Sequence, residues 1–100
     1  MKPQSTKQEK YIDIDKLVFK SNDVLETQRA RIKRKAQLLR AMMLEGLDQT
    51  EVILTFQDEV ELKRLKTRVL ATGDDSIVLS HGTTLPINCI LDVEFLANES

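Results

Sequence analysis

Six cations fall within twelve residues, Arg29, Arg31, Lys33, Arg34, Lys35 and Arg40. They are the side chains of this chain whose type and spacing best suit a chemical task. Such a cluster can neutralise several phosphates and give salt-dependent nucleic-acid contact without sequence preference. On a helical wheel, however, the six spread around most of the non-apolar circumference instead of lining one side. Aromatics that would stack on bases are few, Tyr11, Phe19, Phe56 and Phe95, and the last two read as core. A solvated helix face is the plainer use of the same residues.

The remaining reactive residue types lead nowhere. His81 is the only histidine and precedes Gly82 in an expected hairpin tip, without companions to make a metal or catalytic set. Cys89 is the only cysteine, so no internal disulfide can form, and within a strand it acts as a small hydrophobe. Asp13-x-Asp15 and Asp74-Asp75 are acidic pairs that do not continue into a calcium loop. Three glycines standing far apart make no phosphate cradle. Spacing assembles no nucleophile, base and orienting group. The expectation is a protein that is not an enzyme and holds no metal or cofactor.

The elements that position these residues must fit in 100 residues, 41% hydrophobic and 31% charged, which is one small domain with one core. The longest apolar run is Ala41 to Leu44, far short of the ~20 residues of a membrane span. The N-terminus carries no apolar signal stretch, so a soluble, cytoplasmic protein is expected, with no membrane partner. The net charge of −1 hides a division. Residues 1–47 hold eleven Lys and Arg against six acids, a net +5, and residues 48–100 hold four against ten, a net −6.

Residues 1–10 lack a large apolar side chain after Met1 and read as a disordered tail. Residues 11–20 alternate through Ile12 and Ile14 and then cluster Leu17, Val18 and Phe19, a docking segment that needs something to cover it. Ser21-Asn22-Asp23 offers helix N-cap chemistry, and Glu26 stands three residues after Asp23. An amphipathic basic helix over 21–46 follows, with Gly46 as its left-handed stop. Leu25, Ile32, Ala36, Leu39 and Met43 fall within about 60° of its circumference at 100° per residue. A helix from Asp23 to Leu44 is about 33 Å long, against about 25 Å for a compact fifty-residue barrel. It must overhang, and its stripe must be covered by the docking segment, a second copy or another protein. Leu25, Ile32 and Leu39 share one heptad position and Arg29, Ala36 and Met43 another, a short coiled-coil pattern weakened by the arginine.

Beyond Leu47 the period changes to two. Val52, Leu54 and Phe56 mark one strand, Leu65 to Ala71 a second, Ile77 and Leu79 a third, Leu85, Ile87 and Cys89 a fourth, and Leu91, Val93 and Phe95 a fifth. Turn residues Gly73-Asp74-Asp75 and His81-Gly82 separate them. Five short strands over 48–97 suggest a small antiparallel barrel that leaves no long bare edge.

This order, with Val52 to Phe56, Asp74-Asp75-Ser76-Ile77-Val78-Leu79 and Pro86-Ile87-Asn88-Cys89-Ile90, resembles the Sm-like branch of the small SH3-like barrels. The resemblance implies an α+β fold, one long N-terminal helix followed by a five-stranded antiparallel SH3-like barrel, with edge-to-edge rings that bind RNA. The chain departs from that family at Gln57–Glu61, which holds no glycine, and at Asn88, where the family usually has a basic residue or histidine. The blocks Tyr11–Lys20 and Ala71–Ile90 are also similar to a group of short bacterial proteins, a resemblance that implies no activity.

The expected function is therefore a non-catalytic protein-interaction or self-association module working through Leu25, Ile32, Leu39 and Met43. Its partner would be a second copy or another protein. The alternative is weak, non-sequence-specific nucleic-acid binding through Arg29, Arg31, Lys33, Arg34, Lys35 and Arg40.

Overall fold

The structure, a computed structural model, describes Gln8–Glu9 and residues 13–80 and 82–96. Most of the tail expected over 1–10, with Tyr11, Ile12 and His81, lies outside the described residues. The elements run β1 (Gln8–Glu9), a 3-10 turn (Ile14–Lys16), α1 (Gln28–Asp48), β2 (Val52–Gln57), β3 (Leu62–Thr67), β4 (Val69–Thr72), β5 (Ser76–Leu79), β6 (Thr84–Pro86), a second 3-10 turn (Ile87–Cys89) and β7 (Ile90–Phe95).

The fold is α+β, but the sheet portion is neither five-stranded nor a closed barrel. Strands β3, β2 and β7 form one antiparallel sheet, to which β1 adds in parallel beside β3, and β4, β5 and β6 form another. The expected second strand starts earlier, at Leu62, and breaks at Arg68, so that β3 pairs with β2 while β4 pairs with β5. Arg68 leaves the ladder, and its carbonyl accepts from the Ser80 amide at 3.0 Å. The expected fourth strand is shortened to Thr84–Pro86 because Ile87–Cys89 coil into the 3-10 turn. No ladder joins the two sheets among the described residues. The chain passes from one sheet to the other at Arg68 and through Ile87–Cys89.

Strand patterning positions the core. Val52, Leu54 and Phe56 alternate inward on β2 and are fully buried. On β7 the register shifts opposite Thr55 and Phe56, which pair with Asp92 and Ile90 and leave Leu91 as the extra residue. That bulge turns both Ile90 and Val93 inward, three residues apart, where strict alternation from Val93 would choose Leu91. Gly82, at φ +87°, occupies the left-handed conformation in the reversal between β5 and β6. The segment before the helix docks on this core through Ile14, Leu17 and Phe19, with the Phe19 and Phe56 rings 6.2 Å apart.

The helix boundaries move towards the C-terminus. Residues 21–25 are pinned to the second 3-10 turn, because the Val24 amide donates to the Asn88 carbonyl at 2.9 Å and the Asn88 amide side chain donates to the Ser21 carbonyl at 2.8 Å. Asp23 caps its own turn, accepting from the Leu25 amide at 2.8 Å, and the helix starts four residues later than that carboxylate suggests. Thr27 is its N-cap, accepting from the Ala30 amide at 3.1 Å. At the other end Gly46 stays helical, and Gln49 takes the left-handed position at φ 54°.

Candidate functional site

Helix α1 packs on the sheets through one side. Arg34, Leu38 and Ala41 are its buried residues, and its neighbours are β4 and β7. Thr72 adds a hydrogen bond from its hydroxyl to the Leu38 carbonyl at 3.4 Å. With Ile32 set at zero and about 100° per residue, these three lie near 200°, 240° and 180°.

Arg34 reaches the interior because Asp23 meets it there. Its guanidinium donates to both carboxylate oxygens of Asp23, at 2.8 and 2.7 Å, and to the Ile90 carbonyl at 3.1 Å. Its Nε finds no acceptor among the described residues. The Arg34 hydrogen bond is the main force holding the Asp23 carboxyl below its ordinary range, outweighing partial burial, with the Leu25 amide and Arg31 adding to it. Arg31 closes the group, its Nε donating to the Leu25 carbonyl at 2.9 Å and standing 3.5 Å from Asp23. The pair thus ties the pre-helix turn, the helix and β7 together.

The side opposite is apolar and open. Ile32 is 61% exposed, Leu39 38% and Met43 62%, and Ala36 is exposed between them. They lie within about 20° below and 40° above the Ile32 direction, nearly diametrical to the packed side. Leu47 continues the stripe and is 76% exposed. It was hidden from sequence reasoning by taking Gly46 for the helix end, although it stands four residues beyond Met43 on the same side. Leu25, expected to lead the stripe, precedes the helix and is half-buried. The helix of 21 residues is about 32 Å long in a molecule whose largest extents are 35 and 34 Å, and the stripe lies on the side turned away from the buried Arg34, Leu38 and Ala41.

The six cations separate into two groups. Arg34 is buried and Arg31 half-buried, both engaged by Asp23. Arg29, Lys33, Lys35 and Arg40 have no carboxylate within ion-pair distance among the described residues. By the same angular count Arg29, Arg40 and Lys33 border the stripe on one side, near 60°, 80° and 100°, and Lys35 on the other, near −60°. Arg40 is steadied over the Phe95 ring, 5.5 Å from its centroid. The two helix carboxylates, Glu45 and Asp48, lie on the packed half of the wheel.

Other chemistry-bearing groups serve the fold. Asp58 is buried in the β2–β3 turn, accepting from the Val60 and Glu61 amides at 2.8 Å each and from the Lys63 ammonium at 3.0 Å. Burial opposes its charge, but those donors prevail and hold its pKa below the usual carboxylate value. Cys89 is buried, donates to the Pro86 carbonyl at 3.0 Å, and its thiol is pushed up to about 12 by burial, which removes it as a nucleophile at neutral pH. A cleft of about 260 Å³ passes Lys20, Asp23, Asp58 and Cys89. Another of about 360 Å³ passes Arg34, Asp74, Asp75 and Asn88. Among the described residues no group of three or more His, Cys, Asp or Glu could hold a metal, and no helix is long and apolar enough to cross a membrane.

Compared with known proteins, the chain matches no family model, no curated protein and no solved structure. The functional reading rests on geometry and chemistry.

Proposed function

We propose that the protein is a non-catalytic interaction module whose working surface is the outward side of α1, presented by Ile32, Ala36, Leu39, Met43 and Leu47. One observation carries the reading. Four large aliphatic residues of the helix stand exposed in one row, Ile32, Leu39, Met43 and Leu47, three of them more than half exposed, while Leu38 is the one fully buried leucine or isoleucine on it. Single exposed hydrophobes need no explanation, but a contiguous row does, and on a folded protein such a row marks a contact surface. Its shape, a straight ridge on a rigid helix, suits another polypeptide.

Site-specific photo-crosslinking in the native host tests this. A benzophenone side chain at position 32, 39 or 43 should give discrete, protease-sensitive adducts, and one at Lys66 on the exposed sheet surface should not. Equal labelling at all positions would refute the proposal.

A second reading, weak nucleic-acid contact, is favoured by the four helix cations that have no acidic partner among the described residues. Its adducts at the same positions would be nuclease-sensitive. The apolar row running between those cations counts against it, because a phosphate backbone gains nothing there.

A further inference from the structure

Building on the outward side of α1 as the contact surface, we propose that its occupant is an acidic amphipathic helix of another protein, with an aliphatic seam bordered by glutamate or aspartate. The argument starts from what borders the row. Every charged residue within about 100° of Ile32 on either side is a cation, Arg29, Arg31, Lys33, Lys35 or Arg40. Four of the five lack carboxylate partners among the described residues. No acid of the helix reaches that half of the wheel.

The same border disfavours a second copy on this side. Ile32, Ala36, Leu39 and Met43 fit alternating d and a positions, which puts Lys33 and Arg40 at e and Lys35 at g. A parallel pair of copies sets Lys35 against Arg40 of the second copy, and an antiparallel pair sets Lys33 against Arg40 of the second copy. Both orientations oppose like charges along the seam, and an acidic helix replaces each opposition by an ion pair. Arg40 is already held over Phe95, so less freedom is lost when it is engaged.

The test uses the full chain and three labelled peptides of four heptads, all with leucine at a and d, carrying glutamate, glutamine or lysine at e and g. In fluorescence anisotropy the glutamate peptide should bind at least tenfold more tightly than the glutamine peptide, the lysine peptide should not bind, and the preference should fall as salt is raised. Lys33→Glu with Lys35→Glu and Arg40→Glu should reverse the preference towards the lysine peptide. Leu39→Ser with Met43→Ser should abolish binding of the glutamate and glutamine peptides, with circular dichroism showing the fold retained. Equal affinity for the glutamate and lysine peptides would overturn the proposal, as would preferential binding of a single-stranded RNA oligonucleotide. If no peptide binds but light scattering finds a dimer that Leu39→Ser dissolves, the acidic partner is wrong and the contact surface stands. If neither occurs, both fall.

Discussion

The inward side of α1 carries Arg34, Leu38 and Ala41 in the core, and the outward side carries Ile32, Leu39, Met43 and Leu47 in solvent. By side-chain hydrophobicity alone the assignment should be reversed. What decides it is partnership across the fold: Asp23 and the Ile90 carbonyl satisfy an arginine at the inner position, and a small alanine lets the helix approach the sheets. The outer residues have no such counterpart among the described residues.

The comparison can be broken most sharply at the ion pair. Asp23→Ala leaves the Arg34 charge buried without its main acceptor and should destabilise by about 3–5 kcal/mol, read as a lowered urea midpoint at unchanged slope. Leu38→Ala should cost about 3 kcal/mol by the same measurement, whereas Leu39→Ala, its neighbour on the other side, should change stability by less than about 0.5 kcal/mol. A cost at Leu39 equal to that at Leu38 would mean that the two sides are misassigned.

Acid sharpens the same point. The folded-state pKa of Asp23 lies below the ordinary value of 3.8, so its contribution is complete above the unfolded pKa and is lost as pH falls through the folded one. Urea midpoints should therefore drop between pH 5 and pH 2, and Asp23→Asn should flatten part of that drop. Asp58 shifts in the same direction and accounts for a further part.

The smallest effect concerns the helix end. Gly46→Ala, at a helical position with nothing within 4 Å of the added Cβ, should stabilise by about 0.5–1 kcal/mol. A left-handed cap there would give the opposite sign.

Much of the frame was legible. Strand alternation located β2 and β5, and the absence of Gly or Pro between Asp23 and Leu44 marked the body of the helix. Contacts distant in sequence decided the rest. Asp23 has cap chemistry, but Arg34, eleven residues on, and Asn88, much further along, set how its segment runs. Arg68 and Ile87–Cys89 break strands because of what they meet, and a bulge at Leu91 changes which residues of β7 face inward. The stripe itself was legible, but not its direction: an arginine at the inner position reads as a solvent mark until its carboxylate is known.

Methionine oxidation tests the central claim most directly. Met43 is 62% exposed on the outward side, whereas its neighbour Met42 packs against the core. Treated with dilute peroxide and followed by mass spectrometry, the isolated protein should form the Met43 sulfoxide several-fold faster than that of Met42, and the glutamate peptide should slow Met43 alone. Equal rates at the two positions in the free protein, or a Met43 rate that no partner alters, would contradict the account.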